Sequence, residues 1–272
     1  MNLTEAIKLL TRLPRNPRGV YDELKVRLEL RRENSTIPAP SYQPQDFADV
    51  ISGIEKCLQT DLRGFLAESA LAEIEEQIER GIRKISNAEI PFPLVHNGDP
   101  KLGRLCYVMC RAIKPAVFVE TGVAYGVTSS FILKALKVNN HGKLSSVDRP
   151  PATRSAASFI GTLIPDELRD NWQLHRGESQ KLLPALLSEL KEVNIFLHDS
   201  RHTYGNMSAE FKLVAPYLTN RGVLIADDIN RNIAFQEWVT RTNPAFWATT
   251  TEKTKESLFG VSVFLEKPAL RS

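Results

Sequence analysis

Cysteines are scarce in this sequence of 272 residues, which has three, and long apolar runs are absent. Three cysteines do not make a disulfide framework, so the fold must rest on its own hydrophobic core. No apolar run approaches the ~18–20 residues that span a bilayer, and the first residues lack the apolar centre of a signal peptide. These absences argue against a membrane partner and predict a reducing, cytoplasmic location.

A strong excess of one charge is also missing. The 35 basic and 32 acidic residues leave a formal net charge of +3, which is too small to indicate nucleic acid as a partner. With 42% hydrophobic and 25% charged residues, the composition is that of a globular protein. A chain of this length accommodates one large domain and an appendage.

Helical periodicity marks the first third of the chain. An apolar stripe at spacings of three and four is formed by Leu71, Ile74, Ile78 and Ile82. Such a stripe must be covered, either by the rest of the chain or by a second subunit, and the sequence favours neither. We expect residues 1–90 to be a helical extension that serves as a lid or as a homodimer arm, and residues 91–272 to be the main domain.

From residue 116 onward, short apolar runs alternate with helical segments. The strand-like runs cover residues 116–120, 143–148, 172–176, 193–198 and 222–227. The helical segments between them include residues 152–163, 179–190 and 203–218. This alternation predicts an α/β fold with a doubly wound, mostly parallel sheet and helices on both faces. Two last runs, 246–251 and 258–265, have no long helix between them, which predicts an antiparallel C-terminal hairpin that completes seven strands.

The chain is organised around the stretch KPAVFVETGVAYGVTSS, residues 114–130. An apolar run ends in Glu120, a glycine turn follows, and a helical segment comes next. The spacing of Glu120, Gly122 and Gly126 is E-x-G-x-x-x-G rather than the G-x-G-x-x-G of dinucleotide sites. Such a turn presents backbone N–H groups and a helix N-terminus to a ligand. The acid at the strand end favours a ligand with cationic groups, and S-adenosylmethionine has two, an ammonium and a sulfonium.

Polar residues also follow the second and third strands. Asp148 ends the second strand, where a carboxylate can accept both ribose hydroxyls of a nucleoside; the alternative is a helix cap ahead of Pro150. The third strand runs into a polar turn with Glu178 and Ser179. Because ligands bind outside the carboxyl ends of the strands in a doubly wound sheet, we expect these residues at one rim.

A second set of acids follows the fourth and fifth strands, with Asp199 after one and Asp227 and Asp228 after the other. Clustered carboxylates repel one another unless they are protonated or bridged by a cation, and oxygen ligands suit Mg²⁺. With His198 and His202 nearby, Zn²⁺ or Fe²⁺ is the alternative. Without a cation, Asp228 is a helix N-cap and His202 a surface histidine.

Five segments of the chain carry a family resemblance: VETGVAYG, LSSVDRP, RGESQKLLPAL, FLHDSRHTY and LTNRGVLIADDI. In this order they resemble the motifs of class I S-adenosylmethionine-dependent methyltransferases, and among these the small-molecule O-methyltransferases of the catechol and macrolide-sugar types. The resemblance covers residues 102–265 and implies the Rossmann-like methyltransferase fold.

The resemblance also implies roles for individual residues. Those that would hold S-adenosylmethionine are Glu120, Thr121, Gly122, Tyr125, Gly126, Asp148, Glu178, Ser179 and Asp199. A divalent cation, Mg²⁺ first, would be bound by Asp199, Asp227 and Asp228, and the catalytic residues would be Asp199 and His202. One departure from the family pattern is Arg201, which stands where a second acid is usual. This arginine either weakens the metal site or pairs with an anionic group of the substrate.

The function expected from the resemblance is O-methylation of a small hydroxylated molecule with help from a divalent cation. Three alternatives stay open. One is a metal-independent methyltransferase with His202 as the base, the second is a metal-dependent hydrolase or hydroxylase that uses the Asp/His cluster, and the third is a binding protein without catalysis.

Overall fold

The computed structural model describes residues 17–86, 90–91, 93–94, 98–149, 156–253 and 256–269. Its strands are β1 (Val117–Thr121), β2 (Lys143–Asp148), β3 (Trp172–Arg176), β4 (Val193–His198), β5 (Leu218–Ala226), β6 (Phe246–Thr251) and β7 (Leu258–Val263). Its α-helices are α1 (Pro17–Thr36), α2 (Phe47–Leu58), α3 (Leu62–Leu66), α4 (Ser69–Ile85), α5 (Pro100–Ile113), α6 (Val127–Asn139), α7 (Ala156–Phe159), α8 (Ser179–Leu190), α9 (Tyr204–Val214) and α10 (Ala234–Thr242).

The described strands form one seven-stranded sheet in the order β3-β2-β1-β4-β5-β7-β6. Strands β1 to β5 are parallel to one another, whereas β7 runs antiparallel to both β5 and β6. Strands β1 and β4 are almost wholly buried because helices cover both faces of the sheet. The predicted doubly wound sheet with an antiparallel C-terminal hairpin is confirmed.

Two hydrophobic clusters cover the two faces of the sheet. One contains side chains of α2 to α6, and the other contains side chains of α8, α9 and α10. Burial of apolar side chains on both faces stabilises the sheet. The clusters cover the faces of the sheet, so the ends of its strands, with the loops that follow them, are left available to bind a ligand.

Helices α2 to α4 of the N-terminal extension belong to the first of these clusters. Of the apolar stripe on α4, Leu71, Ile74 and Ile78 are buried and Ile82 is half-buried. Helix α4 packs against α6, so the stripe is covered by the same chain. Residues 1–16 of the predicted extension lie outside the described residues.

Two predicted helices end earlier than expected. The helix predicted over residues 152–163 ends at Phe159, because Gly161 takes a left-handed φ of +68°; residues 150–155 are outside the described part. The helix predicted over residues 203–218 ends at Val214, since Pro216 has no N–H to donate and its ring clashes with the preceding turn. Strand β5 accordingly begins at Leu218, earlier than predicted.

Within the described ranges, no helix combines the length and the apolar character that crossing a bilayer requires.

Candidate active site

The crevice between β1 and β4 is the point at which the strand order changes direction. Strands β2 and β3 follow on one side of β1, whereas β4 and β5 lie on the other. Beyond the strand ends, the Asp199 N–H donates to the Thr121 carbonyl at 2.8 Å, and the Asp227 N–H donates to the His198 carbonyl at 2.9 Å. The loops after β1, β4 and β5 therefore lie side by side at one edge. Ligands of doubly wound sheets bind at such a switch point.

Gly122 opens the turn after β1 with a φ of +85°. Its N–H donates to the Val147 carbonyl at 2.9 Å, and a Cβ at this position would lie 1.9 Å from the carbonyl oxygen of Asp199. A side chain here would strain the backbone and push the loops after β1 and β4 apart. Gly126, with a φ of +91°, is the N-cap of α6, so the N-terminus of that helix opens at the crevice.

Glu120 is fully buried near the end of β1. Its Oε1 accepts hydrogen bonds from the hydroxyls of Ser129 on α6 and Ser146 on β2, both at 2.6 Å. Its Oε2 has no hydrogen-bond partner among the described residues. Burial raises the pKa of Glu120 to about 7, the two serine hydroxyls oppose the rise, and the charge of Asp148 adds to it. A buried carboxylate oxygen of this kind fits a cationic group that a ligand brings with it.

Asp148 ends β2 at the same edge of the sheet as Glu120. Its Oδ2 accepts hydrogen bonds from the backbone N–H groups of Val123 at 3.2 Å and Ala124 at 3.0 Å. Burial raises the pKa of Asp148, and these backbone hydrogen bonds oppose the rise. The carboxylate thus fixes the glycine turn, which is consistent with either a structural or a ligand-binding role. Pro150, which the helix-cap alternative needs, is outside the described residues.

Two other predicted cofactor residues, Tyr125 and Glu178, make contacts within the fold. The Tyr125 ring is fully buried and meets the Phe159 ring edge-on, with 6.4 Å between the ring centroids. Glu178 is partly exposed and forms ion pairs with Lys181 at 2.7 Å and Arg149 at 2.8 Å. The structure therefore places Tyr125 in the core and Glu178 in a surface ion-pair network at the start of α8.

The acids after β4 and β5 come together with a histidine. One ligand atom each from Asp199, His202 and Asp227 lies within 4.8 Å of the others. Two carboxylates and an imidazole are a donor set that Mg²⁺, Mn²⁺, Zn²⁺ or Fe²⁺ accepts. The predicted carboxylates Asp199 and Asp227 are thus brought together. The third member of the group is His202, whereas the sequence predicted Asp228.

Asp228 lies beside this group rather than in it. It has a left-handed φ of +52° at the start of the 3₁₀ turn Ile229–Arg231. Its Oδ1 accepts a hydrogen bond from the Ser257 hydroxyl, and its Oδ2 lies 3.1 Å from Arg231 Nε and 3.4 Å from His202 Nε2. Its metal-ligand role stays a prediction, and the contacts of the structure connect it to His202 instead.

Glu210 is a buried carboxylate that sequence reasoning missed. It lies on α9 and is fully buried. Five side chains donate hydrogen bonds to it: Thr121, Ser179, His198, Ser200 and Asn206. Burial alone would raise its pKa, but the neighbouring His198 imidazole and the hydroxyl donors lower the pKa of Glu210 to about 2, so it is ionised. A signal was present, because Glu210 shares the apolar face of α9 with Met207, Phe211 and Val214.

Helix α1 lies over the start of α9 through two glutamates. Glu33 accepts hydrogen bonds from the backbone N–H groups of Tyr204 at 2.8 Å and Gly205 at 2.9 Å. Glu29 accepts one from the Thr203 hydroxyl at 3.0 Å and lies 3.7 Å from the guanidinium of Arg201. Arg201 is therefore paired with the chain's own helix.

Comparison with known proteins finds one family model that matches part of the chain. Residues 119–229 match the family model of a methyltransferase domain. No curated protein matches the chain in sequence. Since the matched residues run from β1 to the turn after β5, they include the glycine turn, Asp148 and the Asp199–His202–Asp227 group.

Several solved structures share the fold. An O-methyltransferase from Bacillus cereus in complex with SAH has a TM-score of 0.54 and 13% identity, covering 79% of this chain and 97% of that one. The O-methyltransferase TomG from Streptomyces achromogenes, in complex with SAM, has a TM-score of 0.51 and 13% identity, covering 79% and 96%. A putative caffeoyl-CoA O-methyltransferase from Staphylococcus aureus has a TM-score of 0.53 and 11% identity, covering 69% and 91%. At these identities the likeness shows the fold.

Proposed function

We propose that the chain is a class I methyltransferase that transfers a methyl group from S-adenosylmethionine to an oxygen of a small hydroxylated molecule with help from a divalent cation; the match of residues 119–229 to a methyltransferase domain supports this. The observation that carries the proposal is Glu120, whose unpartnered, buried Oε2 lies beside a glycine turn at the switch point of the sheet. The neighbouring structures described as O-methyltransferases favour oxygen as the acceptor atom.

Each side of the crevice has a task in binding the nucleoside. Ionised Glu120 would attract the ammonium of the methionine portion, and Gly122 lets the backbone approach the ligand because it has no side chain. Asp148 would accept the ribose hydroxyls from the end of β2. When bound, S-adenosylmethionine supplies an electrophilic methyl group, and the task of the chain is to align the acceptor oxygen with it.

The group of Asp199, His202 and Asp227 would hold the cation and the acceptor hydroxyl. A divalent cation would supply positive charge that lowers the pKa of that hydroxyl. The chain then needs a group to receive the proton, and the carboxylate of Asp199, one of the residues that would hold the cation, would accept it. Arg201, the neighbour of His202 in the chain, lies 3.7 Å from Glu29 of α1, so we expect the acceptor to enter beside α1.

A metal-independent version is the second candidate, and the contact between His202 and Asp228 favours it. With 3.4 Å between His202 Nε2 and Asp228 Oδ2, the carboxylate can orient the imidazole and stabilise its protonated form. His202 would then be the general base for the acceptor hydroxyl, and no cation would be needed.

The two versions are separated by a methyl-transfer assay with S-adenosylmethionine and a panel of catechols and hydroxylated sugars, before and after EDTA dialysis. The cation-assisted version predicts that EDTA abolishes transfer and that Mg²⁺ or Mn²⁺ restores it. Full transfer after EDTA favours the second candidate, and no transfer to any hydroxyl contradicts O-methylation.

A further inference from the structure

A single buried carboxylate connects the segments that border the crevice. Glu210 on α9 is fully buried, and its donors come from four places: the end of β1, the first turn of α8, the end of β4 with the loop after it, and α9 itself. Thr121 and Ser179 were predicted from sequence to bind the cofactor directly. In the structure the hydroxyls of both donate to Glu210.

The two oxygens of Glu210 divide these donors between them. Oε2 accepts from the Thr121 hydroxyl and from His198 Nδ1, both at 2.6 Å. Oε1 accepts from the Ser179 hydroxyl, from the Ser200 hydroxyl at 2.7 Å and from the Asn206 amide at 3.0 Å. An ionised carboxylate only accepts hydrogen bonds. All five contacts therefore require that Glu210 has no proton and that each neighbouring side chain donates a hydrogen bond.

We infer that Glu210 is a positioning residue, which sets the cofactor side of the crevice by fixing the loops after β1, β3 and β4 to one another. The inference rests on the proposed function, since it concerns binding of the same nucleoside. It changes the role of two predicted residues: Thr121 and Ser179 act through Glu210 and do not touch the ligand with their hydroxyls.

The substitution Glu210→Gln tests the role with little change in shape. It replaces one acceptor oxygen by an NH₂ group, which then meets donor hydrogens, so the loops must move apart. Leaving buried polar groups unsatisfied costs enough to expect at least about tenfold weaker binding of S-adenosylhomocysteine, measured by calorimetry well below the melting temperature. Unchanged affinity in the folded variant would overturn the inference.

Glu68→Gln is the matched control. Glu68 accepts hydrogen bonds from Tyr107 and from Arg111, the latter at 2.8–3.1 Å. Arg111 also contacts Asn139 at the C-terminal end of α6, the end away from the glycine turn. Removing this carboxylate should lower the melting temperature and leave the affinity for S-adenosylhomocysteine unchanged. If both variants weaken binding equally, Glu210 has only a general structural role and the inference is wrong.

A double-mutant cycle decides how Thr121 and Ser179 act. If they act through Glu210, Thr121→Val and Ser179→Ala weaken binding in the wild-type chain but change the affinity of the Glu210→Gln variant by no more than about twofold. If each weakens binding by the same factor in both backgrounds, the hydroxyls contact the nucleoside directly and the inference is overturned.

A second variant, and the binding result for the wild-type chain, complete the test. Should Glu210→Gln not fold, Ser200→Ala removes one donor with a smaller loss, and it is expected to weaken binding about threefold or more; no change would contradict the positioning role. A wild-type chain that binds no S-adenosylhomocysteine contradicts the proposed function itself, and the role of Glu210 falls with it.

Discussion

At the scale of single residues, the candidate site is a set of carboxylates in different electrostatic surroundings. Glu120 has one oxygen without a partner and a pKa raised to about 7, whereas Glu210 accepts five hydrogen bonds and has a pKa lowered to about 2. Both are fully buried, so the difference comes from their donors rather than from burial. Perturbed acids in a crevice are typical of functional sites.

Glu120 should make stability fall as pH rises. Its folded pKa of about 7 lies above the ordinary value of 4.5, so the protonated form favours folding. This contribution is complete below pH 4.5 and is lost as the pH rises through 7, a change of about 3 kcal/mol. Urea unfolding at several pH values should show this slope in the wild-type chain and a shallower one in Glu120→Gln. Equal slopes in the two chains would mean that folding does not change the pKa of Glu120.

Gly122→Ala should disrupt ligand binding as well as stability. The added Cβ meets a backbone carbonyl at a positive φ, so we expect a loss of about 1–3 kcal/mol in the free energy of unfolding and no measurable binding of S-adenosylhomocysteine. Gly142→Ala is the control, because its φ is +89° and its Cβ would lie 2.0 Å from the Pro115 carbonyl, before β2 begins. Both variants should lose stability, and Gly142→Ala should keep its affinity. Ligand binding by Gly122→Ala would contradict the role of the turn.

Among the residues, the sequence predicted the acids at the strand ends because they interrupt apolar runs where parallel strands finish. It did not predict that Thr121 and Ser179 would donate to Glu210, since that contact joins segments far apart in the chain. The sequence also did not predict that His202, and not Asp228, would join Asp199 and Asp227, because this depends on the left-handed turn at Asp228.

At the scale of elements, two glutamates of α1 contact the start of α9. Tyr21 and Leu28 of α1 are exposed, while Glu29 and Glu33 contact the first turn of α9. Carboxylates at a helix N-terminus interact favourably with its free N–H groups and its dipole. The lid or dimer-arm role that the sequence suggested for the extension remains a prediction, and these contacts favour the lid for α1.

Removing the charge of Glu33 should release α1. Glu33→Gln loses one of two charge-assisted hydrogen bonds and the favourable interaction with the helix dipole, worth about 1–2 kcal/mol. Hydrogen exchange should then quicken about five- to thirtyfold over α1, while the strands keep their protection. Exposed Glu79 on α4 provides the control as Glu79→Gln. Unchanged exchange in α1 would contradict the contact.

The sequence predicted the strands better than the helices. Strands β2, β3, β4 and β6 have the expected bounds, since apolar runs between polar turns mark a buried parallel strand clearly. The helix expected over residues 152–163 ends at Phe159, earlier than predicted, because apolar periodicity alone does not register the left-handed Gly161.

At the scale of the whole molecule, the extension and the α/β part share one core. The apolar stripe of α4 is part of the cluster that also contains α5 and α6, so the sequence-based boundary at residue 90 divides a continuous hydrophobic cluster. The sequence predicted the apolar stripe of α4 but not that α6 would cover it, because periodicity shows which side chains are buried and not what covers them.

A cavity in this shared core should destabilise the whole chain. Ile74 is fully buried, and Ile74→Ala is expected to lower the free energy of unfolding by about 2–5 kcal/mol. Because the cluster is continuous, circular dichroism and tryptophan fluorescence should report one coincident transition at a lower temperature. Two separate transitions would show that helices α2–α4 unfold independently of the sheet.

The most direct test of cofactor binding at Glu120 is a calorimetric titration of S-adenosylhomocysteine into the wild-type chain and into Glu120→Gln at pH 7.5. We expect one site per wild-type chain, a stabilisation of about 2.7 kcal/mol at a hundred times the Kd, and binding at least about tenfold weaker in the variant. A wild-type chain that shows neither heat of binding nor a shift in melting temperature would contradict cofactor binding at Glu120, as would equal affinity in the two chains.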